Sequence, residues 1–232
     1  MSRYASSKLK PKSKKKDLIV FTDGSCSGNG KAISHGGIGI HFPNNELPDL
    51  SKIFRAGGCT NQRTELYAIL TAVRYIKKNL GLSGYRVKIK TDSGYSIDCI
   101  TKWVNGWKEN GWRKKDGSSV ANKEYIELID KYYQRYDITM QFVAAHTTKT
   151  DPDSVGNARA DKLATDATKR AKIESGNSRS PKYQGQSKKY SGSKTNKTSK
   201  NNKYNRNNQS FSKLWKTAKK DHPIIVELVK SK

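Results

Sequence analysis

Acidic residues are scarce in this chain, and the shortage is uneven. Among 232 residues, 46 are Lys or Arg and only 20 are Asp or Glu. Residues 1–16 carry seven basic groups and no acid, residues 17–170 carry 23 against 17, and residues 171–232 carry 16 against three. The middle therefore has the balance of an ordinary, mildly basic domain, and the excess charge sits in two tails. Such tails attract polyanions through counterion release, without reading sequence, or serve as solubilising or targeting extensions. Long apolar runs are missing too. No stretch approaches the ~20 residues that a bilayer-spanning helix needs, which leaves no expectation of a membrane segment. The basic N-terminus, MSRYASSKLKPKSKKK, has no apolar region behind it and does not read as a secretory signal. Cys26, Cys59 and Cys99 are odd in number and lack C-x-x-C spacing. That argues against a disulfide framework or a zinc site, and for a reducing, intracellular setting, cytoplasmic or nuclear. None of the three is expected to be catalytic.

Aliphatic residues almost vanish between about 175 and 210, where Ser, Asn, Lys, Gly, Gln and Tyr dominate. Such a segment cannot bury enough apolar surface to order itself. Four regions follow: a basic, disordered arm at 1–16, a globular domain at 17–172, a low-complexity basic linker at 173–210 and a short apolar segment at 211–232. The last contains Phe211, Leu214, Trp215 and Pro223-Ile224-Ile225-Val226. It reads as a docking peptide for a protein partner, as a segment that packs back on the core, or equally as a frayed end. The run at 12–16 suits either a nuclear address or a phosphate-binding arm.

Within the domain, Leu18-Ile19-Val20-Phe21 is a continuous apolar run, as in a buried central strand, closing on a turn at Asp23-Gly24-Ser25. Strands at 36–42 and 51–56 complete an antiparallel meander. Thr60 or Asn61 suits a helix N-cap, followed by an apolar face of Leu66, Ile69, Leu70, Val73 and Ile76. A fourth strand at 87–91 closes on Asp92. Because a helix joins it to the first strand, parallel pairing is the default, and the two carboxyl ends then lie side by side. A short helix at 93–104, a basic Gly-punctuated excursion at 106–121, a helix at 122–133, a fifth strand at 139–144 and a final helix at 156–172 follow. The expected fold is α/β, a five-stranded mixed sheet flanked by helices.

Asp23 in LIVFTDGS, Glu65 in TNQRTEL and Asp92 in KIKTDSGY each put a carboxylate at a strand end or in the first turn of a helix. Taken singly, these are a turn residue, a first-turn acid near the helix dipole and a cap. Taken together they suit a pair of divalent cations, since magnesium wants hard oxygen ligands, and paired metals cut phosphodiesters without a protein nucleophile. His146 follows in AAHTT and Asp161 in GNARADKLA, fifteen positions later across a long loop. His35, His41 and His222 have no such context. The segment from Lys102 to Lys115 interleaves Trp103, Trp107 and Trp112 with Lys108, Arg113 and Lys114, the dress of a nucleic-acid groove.

This order and context resemble type 1 ribonuclease H over residues 17–170. The resemblance implies the ribonuclease H-like fold and endonucleolytic hydrolysis of the RNA strand of an RNA–DNA hybrid by two metal ions. Mg2+ is the implied ion, Mn2+ an alternative, and the ends left are 5′-phosphate and 3′-hydroxyl. It implies that Asp23, Glu65, Asp92 and Asp161 hold the metals and that His146 shuttles a proton or helps product leave. It also implies that Gly24, Ser25, Cys26, Asn29, Asn61 and Gln62 meet the minor groove, reading the 2′-hydroxyls that mark the RNA strand. Trp107 would pack on a deoxyribose, Trp103 and Trp112 being equally suited to a structural role, while Lys108, Arg113 and Lys114 grip the DNA strand. Thr60 and Asn122 would hold a DNA phosphate, with Gly58 standing where some members have Arg, and Gly94 stands where some carry a longer side chain. A monomer is expected. Rival readings are another acid-dependent nuclease or transferase on this fold, a binder without turnover, and a condensing protein whose work lies in the tails.

Overall fold

The computed structural model describes residues 14–177. The arm at 1–13, the 178–210 part of the linker and the apolar segment at 211–232 lie outside them. Strand β1 (Lys16–Ser27) is central in a five-stranded sheet of order β3-β2-β1-β4-β5. Its neighbours are β2 (His35–His41) and β4 (Tyr85–Thr91), with β3 (Leu50–Phe54) and β5 (Ile138–Phe142) at the edges. β1, β2 and β3 pair antiparallel, while β1–β4 and β4–β5 are parallel. The meander and the parallel crossover are as expected, and the mixed sheet with them.

The turn expected at Asp23-Gly24-Ser25 is not there. The parallel ladder with β4 ends at Phe21↔Lys90, but pairing with β2 continues to Ser27↔His35. Asp23 thus lies inside β1, just beyond the end of its β4 partner. The antiparallel partner sets the strand's length, and no local turn signal overrides it.

Helix α1 (Asn61–Asn79) is capped by Thr60, whose hydroxyl oxygen accepts from the Arg63 N–H at 3.2 Å. Leu66, Ile69, Leu70, Val73 and Ile76 form its buried face, against Leu18, Val20, Ile38 and Ile40 of the sheet. Beyond β4, α2 (Gly94–Asp98), a π-helical turn (Cys99–Trp103) and α3 (Val104–Glu109) form one helical course. It outruns the expected end at 104, because a single exposed Gly106 costs a helix only about 1 kcal/mol. Gly111, at φ +60°, follows its end. Helix α4 (Lys123–Arg135) buries Tyr125, Ile126 and Ile129.

Helix α5 (Pro152–Asn177) begins four residues before the expected 156 and runs past 172. Asp151 caps it, accepting from the N–H groups of Asp153 and Ser154 at 3.1 Å each, and Pro152 occupies the first helical position, where its missing N–H costs nothing. The loop between β5 and α5 is correspondingly shorter than expected. α5 crosses β2 through small residues. A Cβ on Gly39 would stand 2.0 Å from the Ala160 carbonyl oxygen, and one on Gly37 would stand 2.4 Å from that of Ala164. Side chains on these two glycines would push the helix off the sheet. Among the described residues no helix is long and apolar enough to cross a membrane.

Candidate active site

Alternation along β1 sends Leu18 and Val20 toward α1 and Phe21 toward α5. Asp23 follows Phe21's parity and faces α5, at the point where β4 has stopped. Asp92 is the first residue after β4. Glu65 arrives on α1, which approaches so closely that a Cβ on Gly24 would lie 2.2 Å from the Glu65 nitrogen. One oxygen from each of Asp23, Glu65 and Asp92 falls within 4.8 Å of the others. Glu65 is the fifth residue of α1, so the first-turn position expected from the sequence is corrected. The helix dipole fades within that first turn and does not govern this carboxyl.

Burial and mutual repulsion govern it instead. Asp23 is only 8% exposed. Desolvation, then the Asp92 charge, push its pKa up to about 7, with Asp161 adding to the rise. Desolvation, then Asp23 and Asp92, push Glu65 up to about 8. Three hard-oxygen donors, two of them held above the ordinary carboxylate range, are a donor set suited to a small divalent cation, whose charge would relieve the repulsion.

α5 supplies the rest. Asp161 is outside the tightest group but close enough to Asp23 to add to the rise in its pKa, and it accepts from the Thr165 hydroxyl at 3.4 Å. One turn earlier, Asn157 donates from Nδ2 to Asp92 Oδ2 at 3.0 Å. Asn157 is 3% exposed, and its Oδ1 is buried without a hydrogen-bond partner. The sequence reading missed this residue, although its place four positions before Asp161 put it on the same helix face. His146 is exposed on the loop after β5, at φ +49°, and does not join the carboxylate group. His41 pairs with Asp49 at 2.8 Å, and His35 contacts Ser175.

The expected nucleic-acid residues flank this cluster unevenly. Gly24, Ser25 and Cys26 continue β1 beyond Asp23. The Cys26 thiol lies against that of Cys59, and both are free. Asn29 Oδ1 accepts from the Asn61 N–H at 3.2 Å, joining the β1–β2 loop to the start of α1, where Asn61 and Gln62 are exposed. Asn122, at φ +60°, lies across from Thr60, and Arg63 bridges them. Arg63 donates to Asn122 Oδ1 at 3.4 Å and Glu124 at 2.7 Å, and stacks on Tyr125. Tyr95, Trp103, Trp107 and Trp112 form a chain of rings with centroids 5.7–6.4 Å apart. Trp107 and Trp112 pack on the core while Trp103 is 41% exposed. Lys108 is ion-paired to buried Asp130, and Arg113 donates to the Gly117 carbonyl at 2.9 Å, so neither cation is unengaged. Lys114 is exposed.

A model of the RNase H family matches residues 15–169. The chain belongs to the RNase H family. A probable ribonuclease H of Acanthamoeba polyphaga mimivirus is 54% identical over 144 residues, covering 62% of this chain and 63% of that protein. Ribonuclease H1 of Mus musculus is 36% identical over 156 residues, covering 66% of this chain and 51% of that protein. In both, the match spans less than two thirds of the relative's own length. Among solved structures, the PFV RNase H domain superposes with a TM-score of 0.54 at 26% identity, over 68% of this chain and 97% of that one. LC9-RNase H1, a type 1 RNase H with the type 2 active-site motif, superposes at 0.53 and 25% identity, over 68% and 74%. These likenesses put the chain with the type 1 members of the RNase H family.

Proposed function

We propose that this RNase H family member hydrolyses the RNA strand of RNA–DNA hybrids, with two Mg2+ ions held by Asp23, Glu65, Asp92 and Asp161, Mn2+ being the alternative ion. The observation that carries the reading is the convergence of three carboxylates, from within β1, from α1 and from the end of β4, within 4.8 Å, two of them reluctant to ionise without a cation. When bound, such a metal pair supplies an activated water and charge stabilisation for the leaving oxygen. In the reaction, the water oxygen bonds to phosphorus, the bond from phosphorus to the 3′ oxygen breaks, and that oxygen takes up a proton. The products carry 5′-phosphate and 3′-hydroxyl ends.

The chain's own residues then divide the work. Asn157 holds Asp92 by its amide, and Asp161, on the same helix as Asn157, stands near Asp23. His146, exposed on the loop after β5, shuttles a proton or helps the product leave. Gly24, Ser25, Cys26, Asn29, Asn61 and Gln62 meet the minor groove, where small residues admit the sugar hydroxyls. The exposed ring of Trp103 and the neighbouring Trp107 stack on the DNA strand, and Lys114 meets its phosphates. Thr60 and Asn122 hold a DNA phosphate, with Arg63 between them in place of the cation that Gly58 cannot supply. The basic tails tighten binding, residues 211–232 dock a protein partner, and the chain acts as a monomer inside the cell, in cytoplasm or nucleus.

The test is cleavage of an end-labelled hybrid in Mg2+, beside duplex RNA, duplex DNA and single strands. The RNA of the hybrid alone is cut, and Asp92→Asn lowers the rate by at least roughly a hundredfold, since even an outer-shell change costs up to that much. An uncut hybrid that still binds tightly in Mg2+ and in Mn2+ overturns the reading in favour of a binder.

A further inference from the structure

Lys90 is the residue of β4 whose environment least suits its chemistry. It pairs in register with Phe21 of β1, is 8% exposed, and passes its ammonium 5.5 Å from the centre of the Phe21 ring. A lysine buried beside a phenyl ring needs an anion, and it has one in Asp153, with which it forms an ion pair. Asp153 is the second residue of α5, where the positive end of the helix dipole also favours its charge. The helix comes this close because position 156 is glycine: a Cβ there would lie 2.3 Å from Phe21 Cε2.

Lys90 is buried but the Asp153 side chain is 37% exposed, and ion pairs of this half-buried kind are weak evidence for stability, so the pair calls for another account. Geometry supplies one. Asp153, Asn157 and Asp161 stand four residues apart on one face of α5. Asp153 meets Lys90 of β4, Asn157 meets Asp92 at the end of β4, and Asp161 faces Asp23 of β1. The glycines of β2 hold α5 only from Ala160 onward, through Ala164 and Ala167. The two turns before Ala160 are joined to β4 by the Lys90 and Asp92 contacts.

We propose that the Lys90–Asp153 pair is a positioning device: it pins the first turn of α5 to β4 and thereby holds Asn157 on Asp92, and Asp92 in the donor set. This rests on the metal-dependent reading above. Lys90 and Asp153 touch neither metal nor substrate, and they act through Asn157.

The 232-residue wild type, Lys90→Met, Asp153→Asn and the double variant are compared in three ways: Mg2+ binding by calorimetry, hydrogen exchange, and kcat and KM on a hybrid. Lys90→Met keeps the length of the stem and removes the charge. It raises the Mg2+ Kd and lowers kcat by about tenfold or more, the scale of a lost supporting contact at a metal site. KM for the hybrid stays within about twofold, because uniform substrate binding is untouched. Amides at 153–158 lose protection while β1 and α1 keep theirs. The double variant is no worse than Lys90→Met, since the two residues act as one unit. If Lys90→Met does not fold, Asp153→Asn, which keeps an oxygen facing the ammonium, shows the same pattern at smaller size. Wild-type Mg2+ affinity in the variants, or full additivity in the double variant, overturns the proposal. A wild type that binds Mg2+ and leaves the hybrid uncut overturns the functional reading instead, while the Kd comparison still decides this one.

Discussion

On the face of the sheet that α1 covers, Leu18, Val20, Ile38 and Ile40 meet Leu66, Ile69, Leu70 and Val73, all buried. On the face that α5 covers, β2 offers Gly37 and Gly39 to Ala160, Ala164 and Ala167, and the larger apolar contribution is Phe21 with Val143. The first face is thick with aliphatic side chains, each worth about 1.5–3 kcal/mol when buried. The second is thin, and its polar row reaches the strand ends directly. A thick face stabilises the fold, whereas a thin one lets a helix come close enough for its side chains to enter a site on the sheet. The two demands conflict at any one position, and the domain meets them by giving each face one of them.

Opposite substitutions break this contrast in opposite ways. Ile69→Ala, on the thick face, should cost about 2–5 kcal/mol by opening a cavity and leave Mg2+ affinity intact. Gly39→Ala, on the thin face, adds one methyl where 2.0 Å separates its position from a backbone oxygen. It should cost about 1–3 kcal/mol by overpacking and, unlike Ile69→Ala, abolish Mg2+ binding as α5 moves away. Urea unfolding with calorimetric metal titration of both variants measures this. Equal metal affinity in the two would dissolve the distinction between the faces.

A smaller effect follows from Asp23 and Glu65. In the metal-free protein their pKa values stand at about 7 and about 8, above the ordinary carboxylate range. The folded state therefore keeps protons that the unfolded chain has released. Stability from these two groups is complete below the ordinary carboxylate range and is lost as pH rises through about 7 and then about 8. The metal-free Tm should fall between pH 6 and pH 8, and the gain in Tm on adding Mg2+ should be larger at pH 8, where fewer protons must leave. Asp23→Asn should flatten the metal-free slope, whereas Ile69→Ala shifts Tm alike at both pH values. A metal-free Tm slope in Asp23→Asn as steep as the wild type's would separate the acid cluster from the stability of the fold.

The smallest effect is at Gly94, the first residue of α2, around which a Cβ would meet nothing within 4 Å. Gly94→Ala should raise stability by about 0.4–1 kcal/mol by restricting the unfolded chain. Any loss on unfolding would mean that this end of the helical course is as tightly approached as Gly37 and Gly39.

Much of this was legible in the chain. The run Leu18-Ile19-Val20-Phe21, the cap at Thr60 and the apolar stripe from Leu66 to Ile76 are local signals, and the structure agrees with each. The start of α5 was legible as well, in Asp151-Pro152, a capping side chain followed by the residue best suited to the first helical position, but the reading began the helix at 156. Asn157 and the ion pairing of Lys108 to Asp130 carry no local signal, because their partners lie 65 and 22 positions away in the chain.

By itself, then, the sequence determined which residues could cap, pair and pack with their near neighbours, and which acids were available, because those choices rest on propensity and periodicity over a few residues. The tertiary structure alone decided that Asp23 lies within a strand, that Glu65 is held by burial and neighbouring charge rather than by a helix terminus, and that α5 approaches β1. Those outcomes depend on where the β1–β4 ladder ends and on a gap between α5 and β2 too narrow for a methyl group, distances that no single segment specifies.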